Sequence, residues 1–367
     1  MDLDFTAAER DFRAEVRAWL AANVPRNLPS MNTPAGFQAH REWEARLADA
    51  RLSVVSWPEE YGGRGASLVE WLIFEEEYWA AGAPGRVSQN GIFLLAPTLF
   101  AYGTEEQKAG FLPRMARAED VWAQAWSEPE AGSDLAALTS RAVRTDGGWL
   151  LHGHKTWSSR AAHASHGFGL FRTSGEGRHR GLTYFLFPLR DVEVRPIAQL
   201  DGEPGFAELR FDGVFVPDSG VLGAPGEGWR IAMATTSSER GLTLRSPGRF
   251  LATADRLVEL AAGADPALAD RAARCWLDAE AYRLQTYAVA RRIASGRDLG
   301  PAASLGKVFW SELDLRMHTL ALELLGERAA ATPWFDGFLF ALAGPIYAGT
   351  NEIQRTIIAE RVLGLPR

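Results

Sequence analysis

The chain of 367 residues has a single cysteine, Cys275, which excludes an internal disulfide, a cysteine-based zinc site and a thiolate-held iron–sulfur cluster within one chain. Lysine is almost missing too. Lys108, Lys155 and Lys307 are the only lysines among 39 basic residues, a bias read as genomic rather than functional. The net charge of −7 comes with no basic stripe, so nucleic acid is not an expected partner. The longest uncharged stretches, 87–104 and 337–351, are interrupted by Pro, Gly and Asn and do not read as membrane spans. The start, Met1-Asp2-Leu3-Asp4, is acidic and lacks the basic-then-apolar order of a signal peptide, so a cytoplasmic protein is expected. No G-x-S-x-G nucleophile motif occurs. Gly62-Gly63-Arg64-Gly65 has neither the spacing of a Walker loop nor that of a dinucleotide fingerprint.

What is present is apolar mass, 47% of the residues, enough for two or three packed domains. Residues 1–120 carry helical periodicity: Phe5, Phe12, Val16, Trp19 and Leu20 recur at helical spacing, with Thr6 as N-cap and Glu9 three residues on. Thr104 and Gln107 form a second capping box. From 121 to 222 the pattern becomes short β-rich runs near 167–171, 182–188, 192–196 and 206–216, with a hairpin turn at 145–148. From 223 to 367 helices return, the last expected near 345–362. The expected class is α+β, with an N-terminal all-α domain (1–120), a middle β-barrel (121–222) and a C-terminal helical bundle (223–367).

Single features carry little chemistry. His152-x-His154 could face one side of a strand and His163-x-x-His166 lies nearby, but no carboxylate other than the turn residue Asp146 stands near them, and no metal is expected. Glu75-Glu76-Glu77 reads as the wet face of a helix.

Longer strings say more. Trp126-Ser127-Glu128-Pro129-Glu130-Ala131-Gly132-Ser133-Asp134, Lys155-Thr156-Trp157-Ser158-Ser159 and Tyr347-Ala348-Gly349-Thr350-Asn351-Glu352-Ile353-Gln354-Arg355 resemble, in order, three signatures of the acyl-CoA dehydrogenase family. The turn at 57–65 and Gly103-Thr104-Glu105-Glu106-Gln107-Lys108 also fit. The resemblance implies FAD, with the flavin between the middle domain and the C-terminal helices, and α,β-desaturation of an acyl-CoA thioester. Position by position it implies that Gln124, Trp126 and Ser127 hold the pyrimidine edge and that Ser133 lies near the pyrophosphate and substrate. It implies further that Trp157 packs on the flavin, that Ser159 donates toward N5, and that Thr350 and Glu352 meet the adenosine-diphosphate end. A hydroxyl beside N5 suits an atom that gains electron density on accepting hydride.

The string Y-E-G-T of many members carries the catalytic base, and here that position is Ala348, which cannot take a proton. Isovaleryl- and long-chain-type members instead place the base on an earlier helix, immediately before an arginine. Ser237-Ser238-Glu239-Arg240-Gly241 matches that place, so the resemblance assigns Glu239 as base, Arg240 to the substrate, and the Ala348 backbone N–H to the thioester oxygen. Two strings are degraded. The R-x-x/T-F-G motif that a neighbouring subunit supplies to FAD is missing from 249–274, and Glu323-Leu324-Leu325-Gly326-Glu327 stands where a Gly-rich stretch is usual. Such losses resemble actinobacterial α2β2 members in which two paralogous chains share each flavin site. The expected partners are therefore an acyl-CoA substrate, an electron-transfer flavoprotein, and either copies of this chain or a paralogous subunit. The alternatives are a non-catalytic partner subunit and a related oxygen-using flavin enzyme.

Overall fold

The computed structural model describes residues 4–175, 177–240, 246–296 and 300–366, and for 237–240 it describes the backbone only. In chain order the helices are α1 (Ala7–Asn23), α2 (Pro34–Asp49), α3 (Leu68–Ala80), α4 (Ala96–Tyr102) and α5 (Glu105–Ala116). The strands follow: β1 (Trp122–Ala125), β2 (Arg141–Thr145), β3 (Gly148–Ser159), β4 (His166–Arg172), β5 (Leu182–Pro188), β6 (Glu193–Ile197), β7 (Phe206–Pro217) and β8 (Val221–Leu222). The remaining helices are α6 (Gly228–Arg240), α7 (Pro247–Leu260), α8 (Pro266–Ala294), α9 (Ala303–Leu325), α10 (Pro333–Ala341) and α11 (Asn351–Ile357). They form two compact units, one of residues 26–65 and 85–239, the other of 1–25, 66–84 and 240–367.

The first unit is built around the sheet. The strand order is β6-β7-β3-β2-β4-β5-β8, with β1 added in parallel to β4. This sheet is not closed, which corrects the expected barrel. The outer strands β6 and β8 do not pair with each other, and β2 meets β4 at the single pair Arg141–Arg172. The sheet therefore bends at β2/β4 instead of closing. Bulky rings fill the space inside it: Phe211 of β7 stands edge-on to Phe171 of β4 at 5.1 Å and to Phe187 of β5 at 5.3 Å. Rings of that size hold facing strands at packing distance rather than within ladder distance. The local expectations inside the unit hold. Asp146-Gly147 turns between Thr145 and Gly148, which pair, and Thr104 and Gln107 satisfy each other's backbone N–H.

In the second unit α7, α8 and α9 share a core of Phe250, Leu257, Cys275, Trp310, Leu313 and Met317. Thr6 and Glu9 close the expected capping box at the start of α1. Glu75, Glu76 and Glu77 are buried on α3, not wet. Arg13 on α1 bonds Glu76 at 2.8 Å and Glu77 at 2.9 Å, and Arg17 takes Glu77 at 2.8 Å. Ser246 donates to Glu75 at 3.2 Å. A charge run is a wet face only while nothing packs on it, and arginines on neighbouring elements are what the local pattern cannot show. Gly248 completes this contact, since a Cβ there would sit 2.6 Å from the Glu75 carbonyl oxygen. The last predicted helix begins later than expected: residues 345–350 are a turn, and α11 starts at Asn351.

Candidate active site

In the first unit the candidate residues gather where β1 ends and β3 bulges. Between the pairs Lys155–Leu209 and Ser158–Ala207, β3 holds one residue more than β7, so the strand must kink there. Trp157 absorbs the kink with φ +60°, a left-handed conformation that costs a non-glycine residue on the order of 1–2 kcal/mol. Its indole stands 59% exposed, edge-on to Phe206 at 6.0 Å. Ser158, next in the strand, is fully buried, and among the described residues neither its hydroxyl nor the buried Trp126 indole N–H has a hydrogen-bond partner. Ser159 pairs with Phe206 at the end of the strand. Thr156 N–H donates to the Ser127 carbonyl at 2.9 Å, stitching the bulge to the residues that follow β1.

A buried ion pair sits behind this surface. Lys155, with no exposed surface, donates to the Trp126 carbonyl at 3.1 Å and to Glu128 Oε1 at 3.0 Å. Glu128 also accepts from Thr139 N–H at 2.7 Å and Ser140 N–H at 2.8 Å. Burial pushes the Glu128 carboxyl up, but the Lys155 charge and these donors outweigh it and hold the carboxyl at about 2. Burial draws the Lys155 ammonium down to about 8 against the pull of Glu128. Ser133 lies exposed in the loop beyond, where Asp134 bonds Arg178 and Arg172 braces the Ala136 carbonyl at 3.1 Å.

In the second unit the candidates lie in the turn from Gly344 to Asn351. Ala348 has φ +57° and Gly349 φ +78°. The Ala348 carbonyl accepts from Gln354 Nε2 at 2.9 Å, whereas its N–H donates to nothing among the described residues. Thr350 caps α11 by accepting from Ile353 N–H at 3.2 Å. Glu352 follows in the first turn, and its own backbone N–H, then the Thr350 hydroxyl, keep its carboxyl below the usual range. Lys307 on α9, fully buried, donates to the Gly344 carbonyl at 2.9 Å and to Asn351 Oδ1 at 2.8 Å.

Glu239 and Arg240 end α6, but their side chains lie outside the described residues. α6 is anchored by Ile231 and Ala232, both fully buried, and by a 2.8 Å hydrogen bond between Thr235 and Thr98 of α4. The candidate set thus falls in two groups: Gln124, Trp126, Ser127, Ser133, Trp157, Ser159 and Glu239 in one unit, Arg240, Ala348, Thr350 and Glu352 in the other. Glu128, Lys155, Lys307 and Asn351 had no role in the sequence reading. The available signal was rarity, since two of only three lysines stand beside the two left-handed candidate residues.

Profiles of the acyl-CoA dehydrogenase N-terminal, middle and C-terminal domains match residues 6–119, 123–214 and 226–363. Acyl-CoA dehydrogenase IpdE1 of Mycobacterium tuberculosis is 40% identical over 97% of this chain and 98% of its own. The chain belongs to the acyl-CoA dehydrogenase family. Among solved structures, the Tcur3481-Tcur3483 steroid acyl-CoA dehydrogenase superposes over the whole of both chains with TM-score 0.88 and 28% identity. The ChsE4-ChsE5 complex from Mycobacterium tuberculosis does so with TM-score 0.84 and 30% identity. This acyl-CoA dehydrogenase is therefore an oxidoreductase of flavin-dependent acyl-CoA oxidation, and its cofactor is FAD. The donor set of the first unit fits that cofactor. A flat exposed indole, serine hydroxyls and strand-end backbone groups suit an uncharged ring system with a polar edge. No described helix is long and apolar enough to cross a membrane.

Proposed function

We propose that this acyl-CoA dehydrogenase desaturates the α,β-bond of an acyl-CoA thioester with Glu239 as the base. The observation that carries the reading is the turn at Ala348. The position holds a methyl group instead of a carboxylate in a left-handed turn, and its N–H donates to nothing among the described residues. An N–H without a described acceptor is a ready donor to a thioester oxygen as enolate charge builds there. With no carboxylate in the turn, proton removal falls to Glu239 at the end of α6. Exclusion of water by the acyl chain raises the basicity of that carboxylate. FAD, when bound, supplies the acceptor for the β-hydride at N5. Trp157 offers the ring a wall, Ser159 a hydroxyl toward N5, and Gln124, Trp126 and Ser127 the pyrimidine-edge contacts. Ser133 and Arg240 serve the substrate, and Thr350 and Glu352 the adenosine-diphosphate end.

The similarity to a steroid acyl-CoA dehydrogenase directs the substrate search to bulky, ring-bearing acyl groups. The similarity to two-component complexes, together with the missing adenine-side string, supports a paralogous chain completing the FAD site. The second unit leaves Leu277, Leu284, Leu305, Ile346 and Leu363 individually exposed, apolar side chains open to a partner subunit. An electron-transfer flavoprotein takes the electrons onward. The deciding experiment is anaerobic bleaching of the flavin by acyl-CoA. Glu239→Gln is expected to bind FAD and acyl-CoA yet leave the flavin oxidised, and bleaching at the wild-type rate would remove Glu239 from the mechanism.

A further inference from the structure

This chain uses arginine almost wherever a cation is needed, with lysine at three of 39 basic positions. One of the three, Lys108, pairs at the surface with Glu105. The other two have no exposed surface at all, and their surroundings are alike. The Lys155 ammonium bonds one carbonyl and one side-chain oxygen and lies 5.1 Å from the centre of the Phe171 ring. The Lys307 ammonium also bonds one carbonyl and one side-chain oxygen and lies 5.9 Å from the centre of the Trp310 ring. Acceptor oxygens and a ring around an ammonium suit a compact point charge with three donors. A guanidinium, planar and with five N–H groups in a rigid fork, differs in shape and donor geometry from the compact ammonium that these acceptors receive. Both sites thus select lysine against the bias of the rest of the chain.

Each lysine also lies beside a strained backbone. Lys155 precedes Trp157 by two residues and ties the end of β1 to the bulge. Lys307 joins Gly344 to Asn351, the two ends of the segment that contains Ala348. The two left-handed residues, at φ +60° and +57°, are the flavin wall and the thioester donor of the proposed mechanism. Burying an ammonium is expensive, and a site that only needed packing would be filled more cheaply by leucine or methionine. We infer that Lys155 and Lys307 are positioning residues, each spending a buried charge to keep one left-handed residue in its working conformation, Trp157 toward the flavin and Ala348 toward the thioester. The roles of those two residues rest on the desaturation reading; the clamping itself does not.

The test uses the FAD-loaded enzyme, with its partner chain if one is required, and the variants Lys155→Met and Lys307→Met. Amide hydrogen exchange is read by mass spectrometry, beside the flavin spectrum and steady-state kinetics. Lys307→Met is expected to speed exchange in 344–351 by about tenfold or more while α7 and α8 keep theirs. Its flavin spectrum stays as in wild type, and kcat falls about 10- to 100-fold with KM nearly constant, the cost of a misaligned donor. Lys155→Met is expected to speed exchange in 124–128 and 155–159, shift the flavin spectrum and weaken FAD binding. Lys307→Arg is expected to fail as Met does. Should Lys307→Met not fold, Asn351→Leu removes the same clasp from its other side and must show the same local exchange. Unchanged exchange in these segments, a uniform rise across a whole unit, or full rescue by Arg overturns the inference. If the wild-type enzyme bleaches with no acyl-CoA, the desaturation reading falls, while the exchange data still decide whether the lysines clamp.

Discussion

On β3, Trp157 stands left-handed at a register shift, where the ladder to β7 resumes at Ser158–Ala207 and one extra residue must be absorbed. In the turn before α11 there is no ladder, and the segment that contains Ala348 is tied by Lys307, which bonds Gly344 and Asn351, and by Gln354, which bonds the Ala348 carbonyl. The first arrangement distributes the strain over a sheet and adds an ion pair behind it. The second concentrates it on a few hydrogen bonds to carbonyl and amide oxygens. A sheet can over-determine one residue by its neighbours' pairing, whereas a turn must be clasped.

Tests of that contrast differ in size. The largest effect lies with the chemistry that neither clamp performs: Glu239→Gln should lower kcat by about 10³-fold or more with FAD retained, measured by stopped-flow flavin reduction. Next is the sheet's packing. Phe211→Ala should cost roughly 3–5 kcal/mol by chemical denaturation, since Phe211 joins strands that the ladder leaves unpaired. A much smaller loss would show that the bulge does not depend on this core. Trp157→Ala should weaken FAD binding about tenfold or more by fluorescence titration, with little loss of fold stability, because the indole is mostly exposed.

The ion pair of the first region is tested by pH. The folded-state carboxyl of Glu128 lies at about 2, below its ordinary 4.5. Its contribution is therefore present above pH 4.5 and is lost as pH falls from there toward about 2. Glu128→Gln should flatten the acid side of a melting-temperature profile in that window. An identical slope in variant and wild type would count against the pair. The smallest effect is expected at the clasped turn. Ala348→Gly removes a Cβ that the left-handed backbone tolerates poorly, leaves the N–H in place, and should change stability by about 1 kcal/mol or less and kcat within about twofold.

Much of the site's address was legible along the chain. The three motif strings lie on β1 and its exit loop, on the bulge of β3, and in the turn leading to α11. The absence of a base at Ala348 and the presence of Glu239 could also be read without a structure. Capping boxes and the hairpin turn were legible because their physics is local, three or four residues long. The open sheet was not. Strand count and turn spacing are the same for a closed barrel and a bent open sheet, and the difference rests on Phe171, Phe187 and Phe211 meeting across it. The burial of Glu75, Glu76 and Glu77 was equally hidden, since Glu76 and Glu77 meet arginines of α1 and α8 and Glu75 meets Ser246, all distant in sequence.

The sequence alone thus determined the order of elements, which follows from period and turn chemistry, and, through three motif strings that resemble one family, the class of chemistry. Only the tertiary structure decided which residues are strained and which charges are dry. A positive φ at Trp157 and Ala348, and the burial of Lys155 and Lys307, arise from chain segments that meet only after folding.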